Sequence, residues 1–199
     1  MRVLVACEFS GIVRKAFRDL GHDAWSCDWL AAEDGDEHHM QCGIHDIPYN
    51  KQIHGYWDLM IAHPPCTNLA VSGARWFKDK LDSQRYSIAF FMYLINAPIA
   101  KICVENPIGI MSTKYRKPNQ IIQPWQFGHD ASKATCLWLK GLPLLQPTNI
   151  LPGGPKARRA NQTPSGQNKL GPSADRWKER SRTYTGIAQA MAEQWGGTP

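Results

Sequence analysis

The stretch RVLVACEFSGIVRKAFRDLGHDAWSCDW, residues Arg2 to Trp29, changes its periodicity twice. Its opening RVLVA is apolar and β-branched, as a buried strand requires. EFSG interrupts it, and Ile12, Val13, Ala16, Phe17 and Leu20 then share one helical face until Gly21 stops the helix. HDAWSCDW supplies a second short strand ending at Asp28. A strand, a tight turn, a helix and a strand make a βαβ unit, so the sheet is expected to be mostly parallel.

The alternation continues downstream. WDLMIAH, Trp57 to His63, is apolar on both faces, as expected for a central strand covered by helices. SQRYSIAFFMYLINA predicts a helix capped by Ser83, and AKICVENP a further buried strand. IIQPWQF and ATCLWLKG read as late strands forming an antiparallel pair, CGIHDI as a return to the sheet edge, and TYTGIAQAMAEQWG as a short amphipathic helix. The expectation is a single-domain, doubly wound α/β fold, with ligands at the carboxyl ends of the strands. Residues 1–146 form the core, 147–182 a basic loop-rich segment, and 183–199 a helix completing the core.

Composition narrows the class. The 199 residues are 43% hydrophobic and 20% charged, and no apolar run approaches the roughly 20 residues of a membrane span. MRVLVACEFSG lacks the apolar region and cleavage site of a signal peptide, so a cytoplasmic protein is expected. Six cysteines lie singly along the chain, a pattern of free thiols in a reducing compartment. In HHMQCGIH, His39, Cys42 and His45 have a zinc-compatible spacing, but a fourth ligand is not evident and no metal is expected.

The net charge of +6 is concentrated late in the chain. Lys156, Arg158, Arg159, Lys169, Arg176, Lys178, Arg180 and Arg182 face only Asp175 and Glu179, with Trp177 and Tyr184 interleaved. Cations and aromatics in a Gly/Pro/Ser-rich segment fit a nucleic-acid backbone, and a solvated tail is the plainer alternative. Arg158, Arg159, Arg176, Lys178, Arg180 and Arg182 are the candidate DNA contacts.

Four strands end in chemistry-bearing groups: EFSG, Asp28-Trp29, HPPC and ENP. In this order they resemble the DNA (cytosine-5) methyltransferases, most closely the short phage-type members. The resemblance implies a Rossmann-like methyltransferase fold with S-adenosylmethionine as cofactor. It implies that Phe9, Ser10 and Gly11 open the cofactor site, that Asp28 and Trp29 hold its ribose and adenine, and that Asp46, Ile47, Pro64 and Thr185 complete it. Cys66, behind Pro64 and Pro65, corresponds to the family nucleophile, and Glu105-Asn106 to the glutamate-asparagine motif. On that reading Cys66 adds to cytosine C6, and Glu105 contacts N3 and N4 with a carboxyl whose pKa burial has raised. Asn106 orients the loop, and Ser72, Arg75 and Trp76 grip DNA or close over a base that has left the stack.

The pattern departs from the family in three places. The glutamine-x-arginine-x-arginine motif is missing, and Lys133 is the candidate for its charge; the cofactor turn has one glycine; and residues 147–182 leave little room for a target-recognition domain. Short specificity, or a protein partner that supplies recognition, is therefore expected. An amino-methyltransferase places an aromatic residue after the prolines, where this chain has Cys66. An enzyme of free pyrimidine nucleotides, a transferase of a group other than methyl and a degenerate DNA-binding decoy are the remaining alternatives. A phage-encoded chain would work in the host cytoplasm.

Overall fold

A computed structural model describes residues 1–47, 57–71 and 81–197. Seven strands form one sheet: β1 (Arg2–Ala6), β2 (Asp23–Asp28), β3 (His39–Gln41), β4 (Leu59–Ala62), β5 (Lys101–Pro107), β6 (Gln120–Ile122) and β7 (Thr135–Lys140). Their spatial order is β3-β2-β1-β4-β5-β7-β6. Pairing is parallel from β3 through β5, whereas β7 runs antiparallel to both β5 and β6. This is the mostly parallel, doubly wound sheet that the sequence leads one to expect, with its switch point between β1 and β4.

Period-two alternation sorts the core into two layers. Val3, Val5, Leu59, Ile61, Cys103, Leu137 and Leu139 face helices α1 (Ile12–Asp19) and α5 (Thr185–Gly196), which supply Val13, Phe17, Ile187, Met191 and Trp195. On the opposite face Leu4, Met60, Ala62, Ile102, Val104 and Trp138 pack against α2 (Leu81–Ile95) through Phe91, Leu94 and Ile95. Full burial of one such side chain contributes roughly 1.5–3 kcal/mol. No described helix is long and apolar enough to cross a membrane.

Several local expectations need correction. Ser83 lies within α2, where its carbonyl accepts the Ser87 hydroxyl, because the helix begins upstream of it. The edge strand is His39–Gln41, ahead of CGIHDI, whose Ile44–Asp46 is a single 3-10 turn. Leu20 falls beyond the last turn of α1 and is half-exposed. The basic segment contains a 3-10 turn at Gly154–Lys156 and one short helix, α4 (Arg176–Ser181); the short helix α3 (Met111–Lys114) precedes the segment and α5 follows it.

Beneath the first helix lies a buried arginine. Arg14 has a fully buried side chain; its Nη1 donates to Ser26 Oγ at 2.7 Å, and Nη2 bonds Asp34 and stands 3.7 Å from Asp36. Removing one partner of a buried pair is costly, but the two aspartates are each about a third exposed and share the work. Asp34→Ala is expected to cost about 1–2 kcal/mol in urea unfolding, while Arg14→Met, which deletes the buried charge, costs less. Equal losses in the two variants would show that packing, not charge, is what Arg14 supplies.

Candidate active site

The strand register assembles the site. Ala6 stands beside Ala62, and Ala62 beside Val104. One residue further along, the carboxyl ends of β1, β4 and β5 bring Glu8, His63-Pro64 and Glu105-Asn106 together. The His63 ring Nδ1 lies 2.6 Å from Glu105 Oε2, and Asn106 Nδ2 donates to the Pro64 carbonyl at 2.9 Å. Asn106 therefore ties the Pro-Pro-Cys loop to β5. Pro64 is buried, whereas Pro65 and Cys66 are exposed. The loop then folds back, with the Leu69 and Ala70 amides both donating to the Cys66 carbonyl and the Ile110 amide donating to that of Leu69. Gly109 permits this return, since a Cβ there would collide with the Leu69 carbonyl.

On the first turn, Gly11 adopts φ +70°, a left-handed conformation suited to glycine. Glu8 is buried, and its two oxygens accept the Val13 and Arg14 amides at 2.7 and 3.2 Å. A carboxylate thereby satisfies otherwise unpaired donors at the start of α1. Glu8 and His63 are functional candidates that the residue-by-residue reading passed over. The available signal was a titratable residue at the last position of a buried run, in CEFSG and AHPPC.

The charges of the cluster are coupled. Burial pushes the Glu8 carboxyl up, against the His63 charge and the two amides, and the net is upward. Burial pulls His63 down, but the Glu105 hydrogen bond and charge, together with Glu8, outweigh it and raise its pKa. Burial alone would raise Glu105; the His63 bond and charge, with Lys133, reverse that and hold it low. The raised carboxyl expected from the sequence is thus replaced by a carboxylate held ionised by His63. Burial and the Glu105 charge push the Cys66 thiol up, opposed by Lys133 and Arg180.

At the ends of β2 and β3, Asp28 accepts the Leu30 amide at 3.0 Å, and burial pushes its carboxyl up. Trp29 is 75% exposed beside it. A Cβ at Gly43 would stand 2.8 Å from the Trp29 indole, and Asp46 accepts the Gly43 amide at 3.1 Å. Ile47 is buried. An open indole, an adjacent carboxylate and a wall without a side chain fit a nucleoside such as that of S-adenosylmethionine. Thr185 begins α5 with its Oγ1 3.4 Å from His129 Nε2. Ser72, Arg75 and Trp76 lie outside the described residues.

The late basic segment folds back over this crevice. Trp177 packs on Phe9 with ring centroids 5.8 Å apart, Lys133 Nζ donates to the Arg182 carbonyl at 3.0 Å, and Arg180 acts on Cys66. Arg182 clasps Glu33 at 2.9 and 3.1 Å and also pairs with Glu179. Its charge is thus spent within the chain. Arg159, expected at a phosphate backbone, is buried instead: it donates to the Pro152 and Gly154 carbonyls and lies over the Trp125 ring. Arg158 and Arg180 are exposed, Arg176 is half-buried, and Lys178 lies 3.7 Å from Asp175. Beside Glu105 and Lys133, the cavity closed by Thr135, Tyr184 and Ile187 measures about 10 Å³, far less than a base needs.

The two histidines of the zinc-like trio have other partners. His39 is bonded through both ring nitrogens, to Ser26 and the Leu30 carbonyl, and His45 stacks on Phe90 and Tyr93.

This mostly parallel sheet, with its antiparallel β7 inserted beside β5, is a Rossmann-like α/β fold. It is similar at TM-score 0.51 to a structure from E. coli assigned as a DNA modification methyltransferase encoded within a prophage, with 15% identity over 76% of this chain and 52% of that one. A triple mutant of Spodoptera frugiperda DNMT2 follows at TM-score 0.46 and 14% identity, over 75% of this chain and 54% of that one. The chain thus spans about half the length of these structures, and at 15% identity the likeness to the first is one of fold. No protein-family model and no curated protein matches the sequence.

Proposed function

We propose that this chain is a DNA methyltransferase that acts on C5 of cytosine through a covalent adduct with Cys66, and that it uses S-adenosylmethionine. The observation that carries this reading is the placement of Cys66. An exposed thiol follows a buried proline that Asn106 anchors, one strand away from a carboxylate at the end of β5. A nucleophile held by rigid neighbours beside an acid-base group is the arrangement covalent catalysis requires.

When bound, the cofactor supplies an electrophilic methyl group. Phe9 to Gly11, Asp28, Trp29, Asp46 and Ile47 would hold it, together with Pro64 and Thr185. The residues of the chain do the rest. Cys66, as thiolate, adds to C6 of the base; Glu105 accepts the N4 amino group and shares the N3 side; Lys133 favours both anions. The base must be flipped out to reach them. Because the crevice beside Glu105 is closed, residues 176–184 are proposed to swing aside for DNA and then cover the base. Arg158, Arg176, Lys178 and Arg180 are the proposed backbone contacts, without Arg159 and Arg182. A groove of about 260 Å³ lined by Trp125, Lys156 and Arg158 lies beyond Ser132 and would take the strand next to the target. With so small a recognition surface, a protein partner for sequence choice remains part of the proposal, and the host cytoplasm is its proposed place of action.

The test is trapping. DNA containing 5-fluorocytosine, incubated with the protein and S-adenosylmethionine, is expected to give a denaturation-resistant adduct that peptide mass analysis places on Cys66. The mass of the adduct identifies the transferred group. An absence of adduct with cofactor binding intact would overturn the covalent reading.

A further inference from the structure

The carboxylate that should protonate the base is held ionised, so its proton needs another source. His63 is placed to be that source. Its Nδ1 is 2.6 Å from Glu105 Oε2, and the two side chains are only 12% and 11% exposed. Glu8, whose charge also acts on His63, is itself held by the Val13 and Arg14 amides in the first turn of α1. His63 Nε2 is buried and makes no hydrogen bond among the described residues. Bulk water therefore has poor access to the proton that the pair shares. We infer that His63 is a positioning residue and proton reservoir, which holds Glu105 and delivers through it the proton that N3 of the base takes up. This rests on the proposed cytosine chemistry and deepens it.

Cys66 enters as thiolate, its proton having passed to water. Its electron pair forms the S–C6 bond; the C5=C6 pair moves to C4–C5, and the C4=N3 pair moves onto N3. The Nδ1–H bond of the His63 imidazolium breaks and an O–H bond forms on Glu105. The carboxyl turns about its Cγ–Cδ bond and gives that proton to N3. His63 is left neutral and Glu105 is again a carboxylate. Once C5 has taken the methyl group, its proton passes to water, the C5–H pair re-forms C5=C6 and Cys66 leaves as thiolate with the S–C6 pair; the N3 proton returns through Glu105 to His63, which resets the pair.

The groups facing His63 bear on the same proton. Glu105 on β5 and Glu8 on the first turn favour imidazolium, while Lys133, ahead of β7, opposes it. Cys66 faces Glu105 and Lys133 across the mouth of the site. The turnover rate is therefore expected to fall as pH rises through the raised pKa of His63.

Two measurements test the inference. His63→Gln keeps a donor for Glu105 but cannot titrate. Its kcat at neutral pH is expected to drop roughly 10- to 100-fold, and its descending pH limb to move at least about one unit toward acid, with S-adenosylmethionine binding retained. A uniform loss with an unchanged limb, or no loss, overturns the relay. Should that variant not fold, nitrogen-15 histidine NMR of the wild-type protein decides. His63 is expected to be imidazolium in the free protein and neutral imidazole in the 5-fluorocytosine adduct. An adduct in which His63 stays doubly protonated overturns the relay alone; failure of the wild-type protein to form any adduct overturns the covalent reading beneath it.

Discussion

Cys66→Ala is expected to lower methyl transfer by at least about 10⁴-fold, because removing a nucleophile removes the covalent route itself. Binding of S-adenosylmethionine should stay within about twofold, since Asp28, Trp29 and the Gly11 turn lie on other strands. The contrast between the two readouts separates loss of chemistry from loss of fold. Thiol reactivity gives an independent check. Cys66 is the exposed thiol, whereas Cys27, Cys103 and Cys136 are buried and Cys7 and Cys42 are half-buried. Alkylation should therefore begin at Cys66, and S-adenosylmethionine together with DNA should protect it. The raised pKa of this thiol makes its thiolate scarce at neutral pH in the free protein. Adduct formation should accordingly quicken with rising pH until His63 loses its proton. Transfer by the alanine variant above about a hundredth of the wild-type rate would mean that C5 is not activated by addition at C6.

Much of the scaffold could be read from periodicity. The change from period two to period 3.6 at EFSG and back at His22 marks β1, α1 and β2, and unbroken apolar runs mark β4 and β5 as central. The antiparallel pairing of β6 with β7 could also be read from two short apolar runs, but of IIQPWQF only Ile121 and Ile122 are strand, because Pro124 opens a 3-10 turn over Pro124–Gln126. What could not be read depends on contacts between distant parts of the chain. Arg182 and Glu33 are 149 positions apart, and no local pattern joins them. Arg158 and Arg159 are adjacent and alike in composition, yet one is exposed and the other buried, because only Arg159 meets the Pro152 and Gly154 carbonyls. The site shows the same division. The motifs Pro-Pro-Cys and Glu-Asn are local, but the pairing of His63 with Glu105 follows from the β4–β5 register. Burial by itself argues for a raised Glu105 pKa, and only the imidazole in contact reverses the sign.

Glu105→Gln brings these threads together, with opposite expected effects on two reactions of one site. Transfer should fall about 10²- to 10⁴-fold, the usual range for loss of a positioned acid-base group. Alkylation of Cys66 should instead become faster at neutral pH. Burial and then the Glu105 charge push that thiol up, and without the charge Lys133 and Arg180 act on the sulfur against burial alone. A variant with a more reactive nucleophile and a slower reaction would show that proton delivery to the base, rather than thiolate supply, governs the step. Stability provides the third readout. Glu105, whose pKa is depressed in the fold, contributes stability above its unfolded pKa and loses it as pH falls through the folded value. His63, whose pKa is raised, contributes stability below its unfolded pKa and loses it as pH rises through the folded value. The ion pair therefore stabilises most between the two unfolded values and fades outward toward the two folded ones, and Glu105→Gln should flatten that rise and fall in the wild-type stability profile. If both proteins melt with the same pH dependence while transfer still collapses, the free protein holds His63 and Glu105 as a neutral imidazole and a carboxylic acid rather than as an ion pair. Glu105 would then carry its own proton to the base.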